Sequence, residues 1–236
     1  MVSVAGDDSV MTTLYLDLDG TLIDVSERYY RIYEELVLSA EGDPLEKSEY
    51  WRLRRQGVPE SELLGELRTS EESSDLLALR TAKLEAAEYL KYDQVVPGAL
   101  ETLRSLKDRA QLVLVTLRKA ITELEQQLQT LGLSPYFDQV LCASERVDSN
   151  SVPKATLISE NPWFKVEGSL IVGDSEADIL AGRLLGIKSI AVLSGIRERE
   201  ILVRYEPDYI IDSLAALPRL FGAIGANGLS GEVDVV

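Results

Sequence analysis

The chain has 236 residues, 45% of them hydrophobic, enough for one or two globular domains with a sizeable core. Its formal charge is −16, from 24 basic against 40 acidic side chains, so nucleic acid and anionic membranes are poor partners. There is no histidine, which excludes imidazole acid–base chemistry, histidine-dependent triads and most zinc sites, and leaves proton transfer to Asp, Glu, Lys, Tyr or Cys.

The acidic surface also repels phosphate-bearing molecules at long range, so a site for one needs local positive charge or a metal. Cys142 is the single cysteine. It excludes an intramolecular disulfide, fits a reducing cytosol, and lies in an apolar run as a small core residue. No run approaches the ~20 apolar residues of a membrane span. The first residues carry Asp7 and Asp8 and no basic segment, unlike a signal peptide. The expected location is cytoplasmic.

Residues 1–11 are small and polar and are expected to fray. Next comes Thr12 to Asp24, where a short apolar run reads as a buried strand that stops at Asp17. Leu18 points to the opposite side, so Asp17 and Asp19 can face one space, and Gly20 lets the backbone turn. Two crowded carboxylates repel each other and lose solvation. A bound cation is the simplest compensation. A surface Asp-x-Asp turn is the plain alternative. A calcium loop fails, because Leu22 and Arg28 stand where such a loop needs Gly and a bidentate Glu.

From Asp24 to about Tyr92 the pattern is helical, with Val25, Tyr29, Ile32, Tyr33 and Leu36 on one stripe and Leu77, Leu84 and Ala87 on part of another. Breaks fall at Gly42-Asp43-Pro44, Gly57-Val58-Pro59 and Thr69-Ser70. Residues 24–94 therefore read as a helical subdomain inserted after the first strand. After Val95-Val96-Pro97-Gly98, strands alternate with helices. Strands are expected at 111–116, 137–142, 169–173, 188–193 and 208–211. Helices are expected at 97–107, 119–131, 153–159, 176–185 and 213–221. Such alternation with short loops predicts an α/β fold, a parallel Rossmann-like sheet covered by helices on both faces. The core is read as 1–23 and 95–221, and 222–236, rich in Gly and acid, as a flexible tail. Trp51 and Trp163 read as packing residues.

Ligands bind at the carboxyl ends of strands in such sheets. Asp17, Thr116 and the segment Gly173-Asp174-Ser175 with Asp178 all fall there, and Lys154 follows the third core strand. Alone, Thr116 reads as a helix cap, Lys154 as a solvated lysine, and Asp174 and Asp178 as cap and first-turn acids. Together they make chemical sense. Asp17, Asp174 and Asp178 can supply hard oxygen ligands to Mg²⁺. Lys154 can balance charge, and Thr116 can donate to phosphate oxygens. Asp17 is then a nucleophile toward phosphorus, and Asp19 the acid and base that serves the leaving oxygen and the water.

These segments, Asp17-Leu18-Asp19-Gly20-Thr21-Leu22, Thr116, Lys154 and Gly173-Asp174-Ser175-Glu176-Ala177-Asp178, resemble in order the four motifs of the haloacid dehalogenase superfamily, above all its phosphoglycolate-phosphatase-like members. The resemblance implies a Rossmann-like core with a helical cap. It also implies a Mg²⁺ site made by Asp17, the backbone carbonyl of Asp19, and Asp174, with Asp178 completing or orienting it. An acid at Asp19 separates phosphate-ester chemistry from the dehalogenase members, which lack one there. Leu117 departs from relatives that carry a smaller or polar residue after the Thr, which changes how the site meets its substrate and detaches its specificity from any one relative; Thr116 and Arg118 are read as substrate-binding.

The expected substrate is a small phosphorylated metabolite, handled by a monomer or homodimer. In the helical segment, Arg52, Arg54 and Arg55 are candidates to meet its anionic group, against a plainer reading as a basic helix face paired with Glu. Two alternatives stand beside this reading, and the first keeps the same core. One is a phosphosugar mutase. The other is a regulatory phospho-acceptor domain, which would hold its aspartyl phosphate rather than lose it.

Overall fold

The strand β1 (Thr13–Leu16) is buried from end to end and lies inside a six-stranded sheet. The computed structural model describes residues 12–65, 70–143 and 152–227. After β1 come a two-residue strand β2 (Ile23–Asp24) and five helices. These are α1 (Ser26–Ser39), α2 (Lys47–Arg55), α3 (Glu60–Gly65), α4 (Ser70–Leu84) and α5 (Ala87–Leu90). The chain returns through β3 (Gln94–Val95), α6 (Ala99–Lys107), β4 (Gln111–Thr116), α7 (Ile121–Thr130), β5 (Gln139–Cys142) and α8 (Pro153–Ser159). It ends with β6 (Ser169–Gly173), α9 (Glu176–Leu185), β7 (Lys188–Val192), α10 (Arg199–Leu202), β8 (Tyr209–Ile211) and α11 (Leu217–Asn227).

The sheet order is β5-β4-β1-β6-β7-β8, and every pairing in it is parallel. Leu16 is in register with Leu114 on one side and Val172 on the other. From β1 the chain first builds outward through β4 and β5, then crosses back to β6. The reversal beside β1 leaves a crevice at the carboxyl end of the sheet.

Alternation along each strand decides what faces what. Leu14, Leu16, Leu112, Leu114, Leu170 and Val172 pack on one face with residues of α6, α7 and α11, while Tyr15, Val113, Val115 and Ile171 pack on the other with α8 and α9. Both faces are buried, so the strands are continuous apolar runs rather than alternating ones. Each fully buried leucine here contributes about 2 kcal/mol. The expected α/β architecture is thus the observed one.

Helices α1–α5 form their own apolar cluster around Ile32, Tyr33, Leu36, Tyr50 and Leu64, with the Tyr33 and Tyr50 rings stacked at 4.4 Å. They join the sheet domain through the antiparallel pair β2–β3, where Ile23 meets Val95 and Asp24 meets Gln94. Tyr29 and Trp51 meet edge-on at 6.2 Å and pack against both clusters.

Two expectations are corrected. The tail does not begin at 222: α11 runs to Asn227, because Leu217, Leu220, Phe221 and Ile224 continue a helical stripe into the core despite the glycines between them. Residues 228–236, and the expected fraying of 1–11, lie outside the described residues. Trp163 is 54% exposed rather than packed, whereas Trp51 packs as expected. The ribbon β2–β3 and the one-turn helix α10 are too short to leave a period in the sequence. Among the described residues, no helix is long and apolar enough to cross a membrane.

Candidate active site

Asp17 follows β1 directly, and its N–H still donates to Val172 O at 2.9 Å, so the sheet fixes its backbone. Gly20 makes the turn with φ +86°, and a Cβ there would overlap the Asp174 carboxylate. Thr116 ends β4, and Asp174 follows β6. Asp178 sits in the first turn of α9, where it and Ser175 form a reciprocal cap. Lys154 is in the first turn of α8. All five site residues predicted at the carboxyl edge are buried and meet in the crevice beside β1.

Lys154 Nζ lies 2.6 Å from Asp17 Oδ1 and 2.5 Å from Asp178 Oδ1. Asp17, Asp174 and Asp178 each bring a carboxylate oxygen within 4.8 Å of the others. Three carboxylates against one ammonium leave uncompensated negative charge in a buried place. Burial pushes the Asp17 carboxyl well above its usual range, with Asp178 and Asp174 adding to the rise and Lys154 opposing it. Burial, then the Asp178 charge, pushes Asp174 up to about 6. Burial alone would lower Lys154, but Asp17 and Asp178 outweigh it and hold the ammonium above its usual range. A hard divalent cation with oxygen ligands fits this donor set and relieves its repulsion. Asp17, Asp174 and Asp178 are the residues that would hold one. Of Asp19 the resemblance implies only the backbone carbonyl as a ligand, and its side chain lies outside this group with other partners.

Asp19 is gripped by two arginines. Arg118 donates to its two oxygens at 2.8 and 2.6 Å, and Arg28 of α1 donates to Oδ1 as well. Burial would raise the Asp19 carboxyl, but Arg118 and Arg28 outweigh it and hold it well below the usual range. Behind the arginines lies Asp93, just before β3. It accepts from Arg118 at 3.3 Å and from Gln127 Nε2 at 2.8 Å, and sits 3.1 Å from Arg28 Nε. The last contact is an ion pair without hydrogen-bond geometry, since neither atom has a hydrogen-bond partner. Burial pushes Asp93 up to about 6 against the opposing Arg28 charge.

A cavity of about 280 Å³ opens over this crevice. Asp17, Asp19, Thr116, Lys154 and Asp174 form its floor, and Arg28, Tyr29, Leu84 and Glu85 of the helical segment its roof. Glu85 also accepts from the N–H groups of Lys119 and Ala120 at 2.8 and 2.6 Å, a negative charge at the N-terminal end of α7. Leu117 and Arg118 reach the cavity too.

Arg52, Arg54 and Arg55 do not line the cavity, and this replaces the substrate-binding expectation for them. Successive residues on a helix point about 100° apart, so each finds a different neighbour. Arg52 pairs with Glu49 in solvent, Arg54 is buried against Glu60 and Val58 O, and Arg55 donates to Leu193 O and Gly195 O. Arg28, Asp93 and Glu85 were not singled out from sequence. Arg28 did leave a signal, because it falls on the apolar face between Val25 and Ile32, where a charge must find a partner. Asp93 and Glu85 left none.

A parallel sheet covered on both faces, with buried carboxylates and a lysine at its switch point, is the frame of an α/β enzyme. The chain belongs to the haloacid dehalogenase-like hydrolases, whose family model matches residues 14–192. It is 30% identical over 221 residues to a phosphoglycolate phosphatase of Agrobacterium fabrum, covering 90% of this chain and 93% of that protein. It is 26% identical over 228 residues to a pyrophosphatase, PpaX, of Halalkalibacterium halodurans, covering 90% and 97%. A solved haloacid dehalogenase-like hydrolase of Streptococcus pneumoniae superposes with a TM-score of 0.75 at 22% identity, covering 89% of this chain and 98% of that one. The family and the fold expected from the motifs are therefore the observed ones.

Proposed function

We propose that the chain is a Mg²⁺-dependent phosphatase that hydrolyses a small phosphate monoester through an aspartyl phosphate on Asp17. The observation that carries this reading is Asp17 itself, a buried carboxylate at the cavity floor, 2.6 Å from Lys154 and grouped with Asp174 and Asp178. The cavity's size favours a small substrate. The phosphoglycolate phosphatase and pyrophosphatase relatives make phosphoglycolate and pyrophosphate the first compounds to try.

In the first step an Asp17 oxygen attacks phosphorus, the ester P–O bond breaks, and the leaving oxygen takes a proton from Asp19. In the second, Asp19 takes a proton from water, the water oxygen bonds to phosphorus, and the bond from Asp17 to phosphorus breaks. Inorganic phosphate leaves with both aspartates restored. Lys154 holds Asp17 in place and offsets charge on the phosphoryl group, and the Thr116 hydroxyl donates to it. A bound Mg²⁺ would keep Asp17 ionised and withdraw charge from the phosphoryl oxygens. Arg28 and Arg118 oppose protonation of Asp19. A substrate anion that draws on either arginine loosens that hold, which is how Arg118 would serve the substrate. Residues 24–94 act in this reading as the cap that shuts out water, with Arg28 and Glu85 as its contribution. A cytoplasmic location, expected from the lone cysteine, belongs to the same proposal.

The test is phosphate release from phosphoglycolate, pyrophosphate and a panel of small esters, with Mg²⁺ and with EDTA. Mg²⁺-dependent turnover by the wild type, lost at least a thousandfold in Asp17→Asn, is expected. No turnover on any compound, or turnover that survives Asp17→Asn, overturns the proposal. A long-lived phospho-Asp17 would favour a regulatory acceptor instead.

A further inference from the structure

The arginines of α2 are absent from the cavity, yet one of them reaches the cation site by another route. Arg55 donates to Gly195 O and to Leu193 O, both at 2.8 Å, and so clamps the loop that follows β7. The loop answers in kind: Glu198 N donates to Arg55 O at 3.1 Å, and Arg197 donates to Arg54 O at 3.1 Å. Arg197 is itself anchored to Glu176 of α9 by two bonds of 2.9 Å. The middle of this loop presses on Asp174. Ile196 N donates to Asp174 Oδ2 at 2.5 Å, and at Gly195 a Cβ would overlap the same carboxylate. Asp174 is one of the three clustered carboxylates.

We propose that Arg55 is a positioning residue for the cation site: it fixes the 193–198 loop against α2, and the loop fixes the Asp174 carboxylate. The inference rests on the Mg²⁺ reading above and adds a link from the helical segment to one ligand. Partners that orient a ligating carboxylate commonly matter ten- to a hundredfold for metal affinity. Simple electrostatics predicts the opposite sign. Arg55 is a positive charge near a cation site, so its removal should tighten cation binding if charge alone matters.

That difference in sign is the experiment. Mg²⁺ is titrated by calorimetry into the substrate-free full chain, as wild type, Arg55→Ala, Arg55→Lys and Arg52→Ala, with melting without Mg²⁺ as the check on folding. Arg55→Lys keeps the charge and loses the two-pronged contact, so it also serves if Arg55→Ala folds poorly. Arg52 lies on the same helix but pairs in solvent with Glu49 and Gln56. About tenfold weaker Mg²⁺ binding in both Arg55 variants, with Arg52→Ala unchanged, is expected. Unchanged or tighter binding in the Arg55 variants, or an equal loss in Arg52→Ala, overturns the inference while leaving the phosphatase reading intact. Failure of the wild type to bind Mg²⁺ overturns both.

Discussion

Arg118 holds Asp19 by two hydrogen bonds, from Nε at 2.8 Å and from a terminal nitrogen at 2.6 Å, across 99 positions of sequence. The contact fixes the carboxylate at the cavity floor, outside the cluster of Asp17, Asp174 and Asp178. Asp19→Asn keeps the shape and removes the proton transfer. Phosphate release should fall about 10²- to 10⁴-fold. A variant within threefold of wild type would show that Asp19 is not the acid.

Protonation of the crowded carboxylates gives stability a definite pH dependence when no metal is present. Asp174 and Asp93 each titrate at about 6 in the folded chain against an ordinary 3.8, and Asp17 is raised too. Between those values the folded state binds more protons than the unfolded one, so the unfolding free energy falls as pH rises from about 4 through 6. Asp19 has the opposite sign: its contribution is complete above about 4 and is lost below it. In EDTA the protein should therefore be most stable near pH 4 to 5. It should lose on the order of 2 kcal/mol by pH 7. Mg²⁺ should restore the share due to Asp17 and Asp174 but not that of Asp93, and Asp174→Asn should make the slope shallower. Urea unfolding at pH 4.5 and 7, with and without Mg²⁺, measures this. A slope that rises with pH in EDTA would refute the account.

Arg28 ties Asp19, Asp93 and the Leu84 carbonyl together, and it is almost fully buried. Its removal in Arg28→Met leaves the buried Asp93 and the half-buried Asp19 to share Arg118. The expected loss is about 3 kcal/mol. In a chain of this size that lowers Tm by on the order of 10 °C. Arg31, one turn further along α1, pairs with Glu27 and Glu34 in solvent, and Arg31→Met should stay within about 1 kcal/mol. Equal losses in the two variants would mean that the buried network carries no special weight.

Much of the architecture was legible because it is written locally. The apolar runs of the parallel strands, the glycine that closes α9, and the Pro that opens α8 are signals within a few residues of the elements they define. Asp17, Thr116, Lys154, Asp174 and Asp178 could be named before any coordinates because a parallel sheet presents its strand ends at one edge. Where local composition competed with burial, burial won: the glycines near Gly222 read as a tail, yet Ile224 carries α11 onto the core. Trp163 went the other way, since an isolated aromatic carries no period that says which way it points.

The pairing of the buried charges was decided by tertiary structure, unlike the local helix pairs such as Arg52 with Glu49. Three arginines in α2 look like an anion site in one dimension, but the fold sets Arg52 toward solvent, Arg54 onto Glu60 and Arg55 onto the loop beside Asp174. Likewise Asp93 reads as an ordinary acid until the return of the chain at β3 sets it behind Arg28 and Arg118. The sequence by itself determined the class of sheet and the edge where its polar residues collect, because hydrophobic periodicity and turn chemistry act over a few residues. Which carboxylate is held charged, which is pushed toward neutrality, and which arginine reaches the cavity depend on distances and burial between segments 60 to 140 positions apart, and Coulomb interactions and desolvation are set by those distances, not by sequence spacing.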